Sequence, residues 1–175
     1  AKGAAEAAKA NAEAARLNAQ AVIDAERPWM VITIHPSPGL PGNCVLRATN
    51  KGRTPAEIES GDFAFTFTSR PDDLPVPATY RDPFVVPHQI FLTQGDGFDV
   101  SPISPQSTID NAPEMKQRTQ MGNQFLFFYG RICYRGVFTK EGREHFQYET
   151  RWCYNYDVSK RQFLRSGPEE YNRFT

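Results

Sequence analysis

The sequence contains no apolar run approaching the ~20 residues that a membrane-spanning helix needs, so the chain as written does not cross a bilayer by a helix. It has no excess of either charge. Twenty Lys and Arg balance 20 Asp and Glu, which removes the broad basic footprint expected of a nucleic-acid binder. Cysteine is scarce: Cys44, Cys133 and Cys153 form no C-x-x-C pair for zinc, and an odd count closes no complete disulfide framework.

Catalytic signatures are equally thin. There is no G-x-S-x-G elbow, and Gly95-Asp96-Gly97 lacks the strand–helix unit of a phosphate-cradling loop. His35, His88 and His145 fall in separate segments without metal-ligand spacing. Asp72-Asp73 and Glu169-Glu170 are adjacent acids in proline-rich or terminal stretches, and Asp96 with Asp99 supplies too few oxygens for calcium. Cys133 and Cys153 lie within aromatic runs, where burial raises a thiol pKa and blunts its nucleophilicity. No catalytic residue, no cofactor and no metal ligand is predicted, and the chain reads as non-enzymatic.

What the 175 residues do contain is two different materials. Residues 1–27 are rich in alanine and hold no Phe, Tyr or Trp, which favours a long helix. Ala5, Ala8, Ala12, Ala15, Ala19 and Val22 follow the four-three rhythm of a coiled-coil seam, while Lys2, Glu6, Lys9, Glu13 and Arg16 form a charged stripe of alternating sign. The stripe suits a solvated spacer; the seam suits self-association, although alanine buries little surface. The helix should stop at Arg27, because Pro28 disfavours helical geometry in the residue before it.

Residues 28–175 read as a β domain built around Gln124–Tyr156. Phe146, Tyr148, Trp152, Tyr154 and Tyr156 share one parity, with His145, Gln147, Glu149, Arg151, Asn155 and Asp157 on the other. Leu126, Phe128, Ile132 and Tyr134 answer them on the preceding run, and Lys140-Glu141-Gly142-Arg143 suits the turn of a long hairpin. That turn would set Cys133 opposite about Thr150, out of bridging reach of Cys153. The aromatic face is either the core or a stacking surface for ligands; the polar residues behind it favour core.

Further strands are expected at Trp29–His35, Asn43–Asn50, Ile58–Ser69 and Pro87–Thr93, with an edge strand at Phe98–Val100 and a short helix at Pro113–Gln120. The prolines between Arg70 and Phe84 exclude a regular central strand there. The Asn50-Lys51-Gly52-Arg53-Thr54-Pro55 stretch marks a sharp structural turn, with Gly52 supplying an unusual backbone angle and Asn50 capping it by side-chain hydrogen bonds. The pattern predicts a mainly β fold: an immunoglobulin-like antiparallel β-sandwich preceded by one long N-terminal α-helix. In such a sandwich Cys44 and Cys133 can meet across the sheets; the alternative, three reduced and mostly buried thiols, is favoured.

Ala25-Glu26-Arg27-Pro28-Trp29-Met30-Val31, the Asn50–Ala56 turn, Tyr129-Gly130-Arg131-Ile132-Cys133-Tyr134 and Arg151-Trp152-Cys153-Tyr154 together resemble a widespread group of uncharacterised bacterial proteins. Those proteins carry one or two membrane-spanning helices, then a coil, then a small β-rich domain. The resemblance brings no activity, substrate or catalytic residue. It implies a membrane anchor upstream of Ala1, and the chain's start at Ala1 rather than Met fits a segment begun mid-sequence. Lys2, Lys9 and Arg16 lean toward the cytoplasmic side, with a periplasmic placement open. The expected role is that of an accessory or scaffold protein, with a protein partner or self-association through the helix and no nucleic acid. The alternative is a domain that recognises a glycan or small molecule through exposed aromatics.

Overall fold

A computed structural model describes residues 2–37, 43–83, 90–137 and 147–175. The expected hairpin turn at Lys140–Arg143, together with His88, His145 and Phe146, lies outside the described residues. One long helix, α1 (Lys2–Glu26), leads into a mainly β fold with 44% of the chain in strands. In chain order follow β1 (Met30–Pro36), β2 (Cys44–Asn50), β3 (Ala56–Thr68), β4 (Asp82–Pro83), β5 (Ile90–Leu92) and β6 (Gly97–Ile103). Two short helices, α2 (Pro105–Asp110) and α3 (Pro113–Gln120), precede β7 (Phe125–Gly136), β8 (Gln147–Asp157) and β9 (Gln162–Arg165).

All strand pairs are antiparallel. One sheet has the order β1-β2-β6; the larger has the order β4-β3-β7-β8-β9, with β5 also pairing to β3. The proposed hairpin is its centre, with Gly130 opposite Trp152 and Phe128 opposite Tyr154. Cys133 sits opposite Glu149, one place from the expected Thr150, because the ladder is centred one half-residue earlier than a turn at Glu141-Gly142 would place it.

Parity explains which side of each strand is buried, with one slip. On β3, Ala56 and Ile58 pack into the same core as Phe63 and Phe65, although their parities differ. A register irregularity between Ile58 and Ser60 adds the residue that flips the alternation. The inner faces of both sheets then share one core: Met30, Ile32, Leu46, Ala48 and Val100 from the smaller sheet, Phe128, Ile132, Tyr134 and Trp152 from the larger. The buried Met, Ile, Leu, Val and Phe side chains among them each contribute roughly 1.5–3 kcal/mol by leaving water. Trp152 fits because Gly130 faces it: a Cβ on Gly130 would come within 2.4 Å of the indole ring.

The free edge of β1 is closed by hydroxyls instead of a strand. Tyr134 Oη accepts from the Met30 amide, Thr150 Oγ1 donates to the Met30 carbonyl, and Tyr154 Oη donates to the Ile32 carbonyl at 2.8 Å. Tyrosines that fill the core thereby also serve the edge of the opposite sheet.

The outer face of the larger sheet is covered at one end. Phe127, Tyr129 and Cys153 pack there with Ala64, Leu74 and Tyr171. The proline-rich crossover is strapped down by Tyr129 Oη donating to the Thr79 carbonyl at 2.9 Å and by Tyr171 Oη donating to the Pro75 carbonyl. The C-terminal residues return to β8, where the Arg151 amide donates to Arg173 and the Thr175 amide to Glu149.

Several strand expectations need correction. The edge strand expected at Phe98–Val100 spans Gly97–Ile103, because pairing with β2 supplies what its polar sequence does not. Of the strand expected at Pro87–Thr93, Ile90–Leu92 is formed and Thr93 lies beyond it, while residues 87–89 lie outside the described residues. Helix α2, capped by Ser104 Oγ accepting from the Ser107 amide, and strand β9 were not anticipated.

Candidate functional site

Helix α1 and the β domain meet at the Asn50–Pro55 turn. Asn50 is fully buried and its carboxamide is saturated: Oδ1 accepts from the Trp29 and Gly52 amides, and Nδ2 donates to the Thr54 and Leu92 carbonyls at 2.9 Å each. Capping by Asn50 is as expected from the sequence, but it reaches further than the turn, tying together the helix exit, the turn and β5. Gly52 is needed for a different reason than expected. It is not among the glycines with positive φ; instead, a Cβ there would sit 2.2 Å from the Arg27 carbonyl oxygen and 2.5 Å from the Trp29 amide nitrogen. Pro55, part-buried, ends the turn, and its carbonyl accepts from the Val137 amide beyond β7.

The same turn caps the helix. The Glu26 carbonyl, left without an intrahelical donor, accepts from the Thr54 amide at 3.0 Å and from Thr54 Oγ1. Glu26 also pairs with Arg53 at 3.0 Å, the Lys51 amide donates to the Trp29 carbonyl, and the Arg27 guanidinium lies over the Tyr148 ring. The chain leaves the domain through a fixed joint.

Beyond that joint α1 stands in solvent. Its 25 residues span about 37 Å, and every α1 side chain described is exposed, including the seam residues Ala5, Ala8, Ala12, Ala15, Ala19 and Val22. Leu17, 54% exposed, lies off that seam. On the charged stripe Glu13 and Arg16 pair at 2.7 Å, and both are exposed to solvent.

The aromatic face that offered a ligand surface is spent on the core. Trp152 and Tyr156 are 3% and 4% exposed, and Tyr148 stacks on Tyr134 beneath Arg27. On the outer face of the same strands charges are matched to one another. Arg131 binds Asp62 at 2.9 Å and Glu149 at 3.5 Å, Arg151 binds Glu149 at 2.5 Å, and Arg135 binds Glu57 at 2.7 Å. A shallow depression of about 490 Å3 beside Tyr80, Thr79 and Pro77 is lined by Asp62, Arg131 and Arg151 of this matched set. Such part-exposed pairs across strands stabilise by roughly 0.2–1 kcal/mol each and leave little field for a charged ligand.

The three cysteines are free thiols. Cys44 packs against the inter-sheet core, whereas Cys133 Sγ lies on the outer face 3.9 Å from Glu149 Oε2, so the two thiols lie on opposite sides of the larger sheet. Burial raises the pKa of Cys44 and Cys133 and pushes Cys153 up to about 12. His35 is exposed, with Nε2 2.8 Å from Thr33 Oγ1. Among the described residues no group of three His, Cys, Asp or Glu side chains is placed to hold a metal ion, and no helix is long and apolar enough to cross a membrane. Comparison with known protein families, curated proteins and solved structures finds no match to this chain.

Proposed function

We propose that this protein is a non-enzymatic accessory or scaffold protein, in which α1 pairs with the same helix of a second copy and the sandwich loops contact another protein. One observation carries the reading: a helix whose described side chains are all exposed is nonetheless capped by Thr54, in a turn held by the buried carboxamide of Asn50 and the close approach of Gly52. A mere spacer has no use for a rigid joint, whereas a presenting stalk does. The second copy is the fitting occupant because the stripe of Lys2, Glu6, Lys9, Glu13 and Arg16 alternates in sign and so complements itself.

The domain on the stalk is best described as an immunoglobulin-like sandwich. Its support is the strand order: first, second and sixth strands in one sheet, and third, seventh and eighth in the other, with the short fourth and fifth strands beside the third. This matches the crossing of an immunoglobulin domain between its two sheets without the cross-sheet disulfide. The resemblance to membrane-anchored bacterial proteins supports attachment through a membrane segment, and Lys2, Lys9 and Arg16 lean toward the cytoplasmic side, with a periplasmic placement open.

Sedimentation of the full chain over rising concentration tests the stalk. An alanine seam buries little, so a reversible dimer in the high-micromolar range is expected, weakened at least tenfold by Ala12→Glu. A strict monomer at millimolar concentration would remove the proposal.

A further inference from the structure

Trp29 is 47% exposed at the foot of the stalk, and a lone exposed tryptophan would be ordinary. This one is not alone. Its ring makes a T-shaped contact with Phe174 at 5.9 Å, and the Arg165 guanidinium lies 5.6 Å from the centre of the Phe174 ring. Phe174 bridges to Thr150 on β8, and Thr150 and Tyr148 are alternate residues that project from the same face of that strand. The Arg27 guanidinium lies 5.9 Å from the centre of the Tyr148 ring. Together these contacts make one strip: arginine, aromatic rings, arginine.

Among the described residues neither arginine pairs with a carboxylate. The acids nearest to them in the fold are taken, Glu26 by Arg53 and Glu149 by Arg131 and Arg151. Arg165 is held in place as well: its Nε donates to Asn172 Oδ1 at 3.1 Å, and Asn172 Nδ2 donates to the Ser166 carbonyl at 2.8 Å. A guanidinium stacked on a ring uses its flat face and keeps in-plane N–H groups for a carboxylate. Tryptophan and arginine are also the side chains on which protein interfaces concentrate their binding energy. The outer face of the larger sheet matches its charges across strands; this strip leaves its positive charge for a partner.

We propose that this strip docks an acidic peptide segment of a partner protein, with carboxylates on Arg27 and Arg165 and an apolar side chain between them on Trp29. The inference rests on the proposed role only in that the domain contacts another protein, and it does not need the stalks to pair. The full chain is therefore tested with Ala12→Glu in place, so that this assignment and the stalk reading fail separately. The probes are Ac-Glu-Glu-Tyr-Glu-Glu-NH2 and its reversed-charge counterpart Ac-Lys-Lys-Tyr-Lys-Lys-NH2, with the indole N–H signals of Trp29 and Trp152 followed by NMR. A saturable shift of Trp29 alone is expected, with the acidic peptide about tenfold tighter than the basic one. Arg27→Gln and Arg165→Gln should each weaken it about fivefold, while the buried Trp152 signal stays in place and reports an intact fold. No saturable Trp29 shift with the acidic peptide, equal affinity for the two peptides, or unchanged affinity in both arginine variants would each overturn the assignment. So would tighter binding of an oligogalacturonate, which would give the strip to an acidic glycan. A Trp29 shift that follows protein concentration alone would give it to a second copy instead.

Discussion

Helix α1 and the β domain are stabilised in opposite ways. The helix draws on local terms: alanine propensity, the Glu13–Arg16 pair and a capped C-terminus, with no side chain buried among those described. The domain draws on long-range contacts, and most strands offer one face to a shared core. The two meet at the Asn50–Pro55 turn, where Thr54 and Arg53 hold Glu26 and Asn50 holds the Trp29 amide. Order in the stalk and order in the sandwich are therefore separable except at that joint, and substitutions should divide accordingly.

Asn50→Ala strikes where the two regions join. It leaves the Trp29 and Gly52 amides and the Thr54 and Leu92 carbonyls without their partner, and a loss of about 5 kcal/mol is expected by chemical denaturation. A loss under about 1 kcal/mol would show that the joint is not structural. Alkaline titration probes the domain alone. The Cys153 thiol stands near 12 against an ordinary value of 9.0, so its contribution is complete below pH 9 and is lost as pH rises toward 12. The unfolded chain sheds the proton first, so stability should fall by up to about 1.4 kcal/mol per pH unit from this group. Cys153→Ala should flatten that slope, and an unchanged slope would show that Cys153 is not its source.

Gly52→Ala should cost about 2–3 kcal/mol, because the Arg27–Trp29 segment must move to admit the methyl group. Hydrogen exchange in the last turn of α1 should rise with it. The smallest effect belongs to the helix itself: Val22→Ala and Leu17→Ala should each change the unfolding of the monomeric domain by less than about 0.5 kcal/mol. A larger change in dilute solution would mean that α1 packs on the domain after all.

What could be read from the sequence follows the range of the interactions. Helix α1 and the Phe125–Asp157 hairpin are written in local periodicity, and both were legible. The Asn50–Pro55 turn was legible as a turn, but its partners Trp29 and Leu92 lie 21 and 42 residues away, beyond any local pattern. Gly52 was found for the wrong reason, since a close approach of distant backbone leaves no mark on neighbouring residues. Strand β6 was underestimated because Asp99 and Pro102 interrupt its apolar run, while its order comes from β2. Phe174 gave no signal at all: one phenylalanine beside an arginine looks ordinary until its ring is seen between Trp29 and Arg165.

The hydroxyls at the edge of β1 carry a consequence for assembly. β1 is the first strand after the stalk, so paired stalks would bring two copies of it close together. An open strand edge in that position invites exchange or continuous sheet growth between copies. Tyr134, Thr150 and Tyr154 occupy backbone groups that a neighbouring strand would otherwise take. Tyr154→Phe keeps the ring and frees the Ile32 carbonyl, so its signature would be slow aggregation at high concentration with little change in unfolding. Those tyrosines would then act as insulation, letting stalks associate while the domains they carry stay separate.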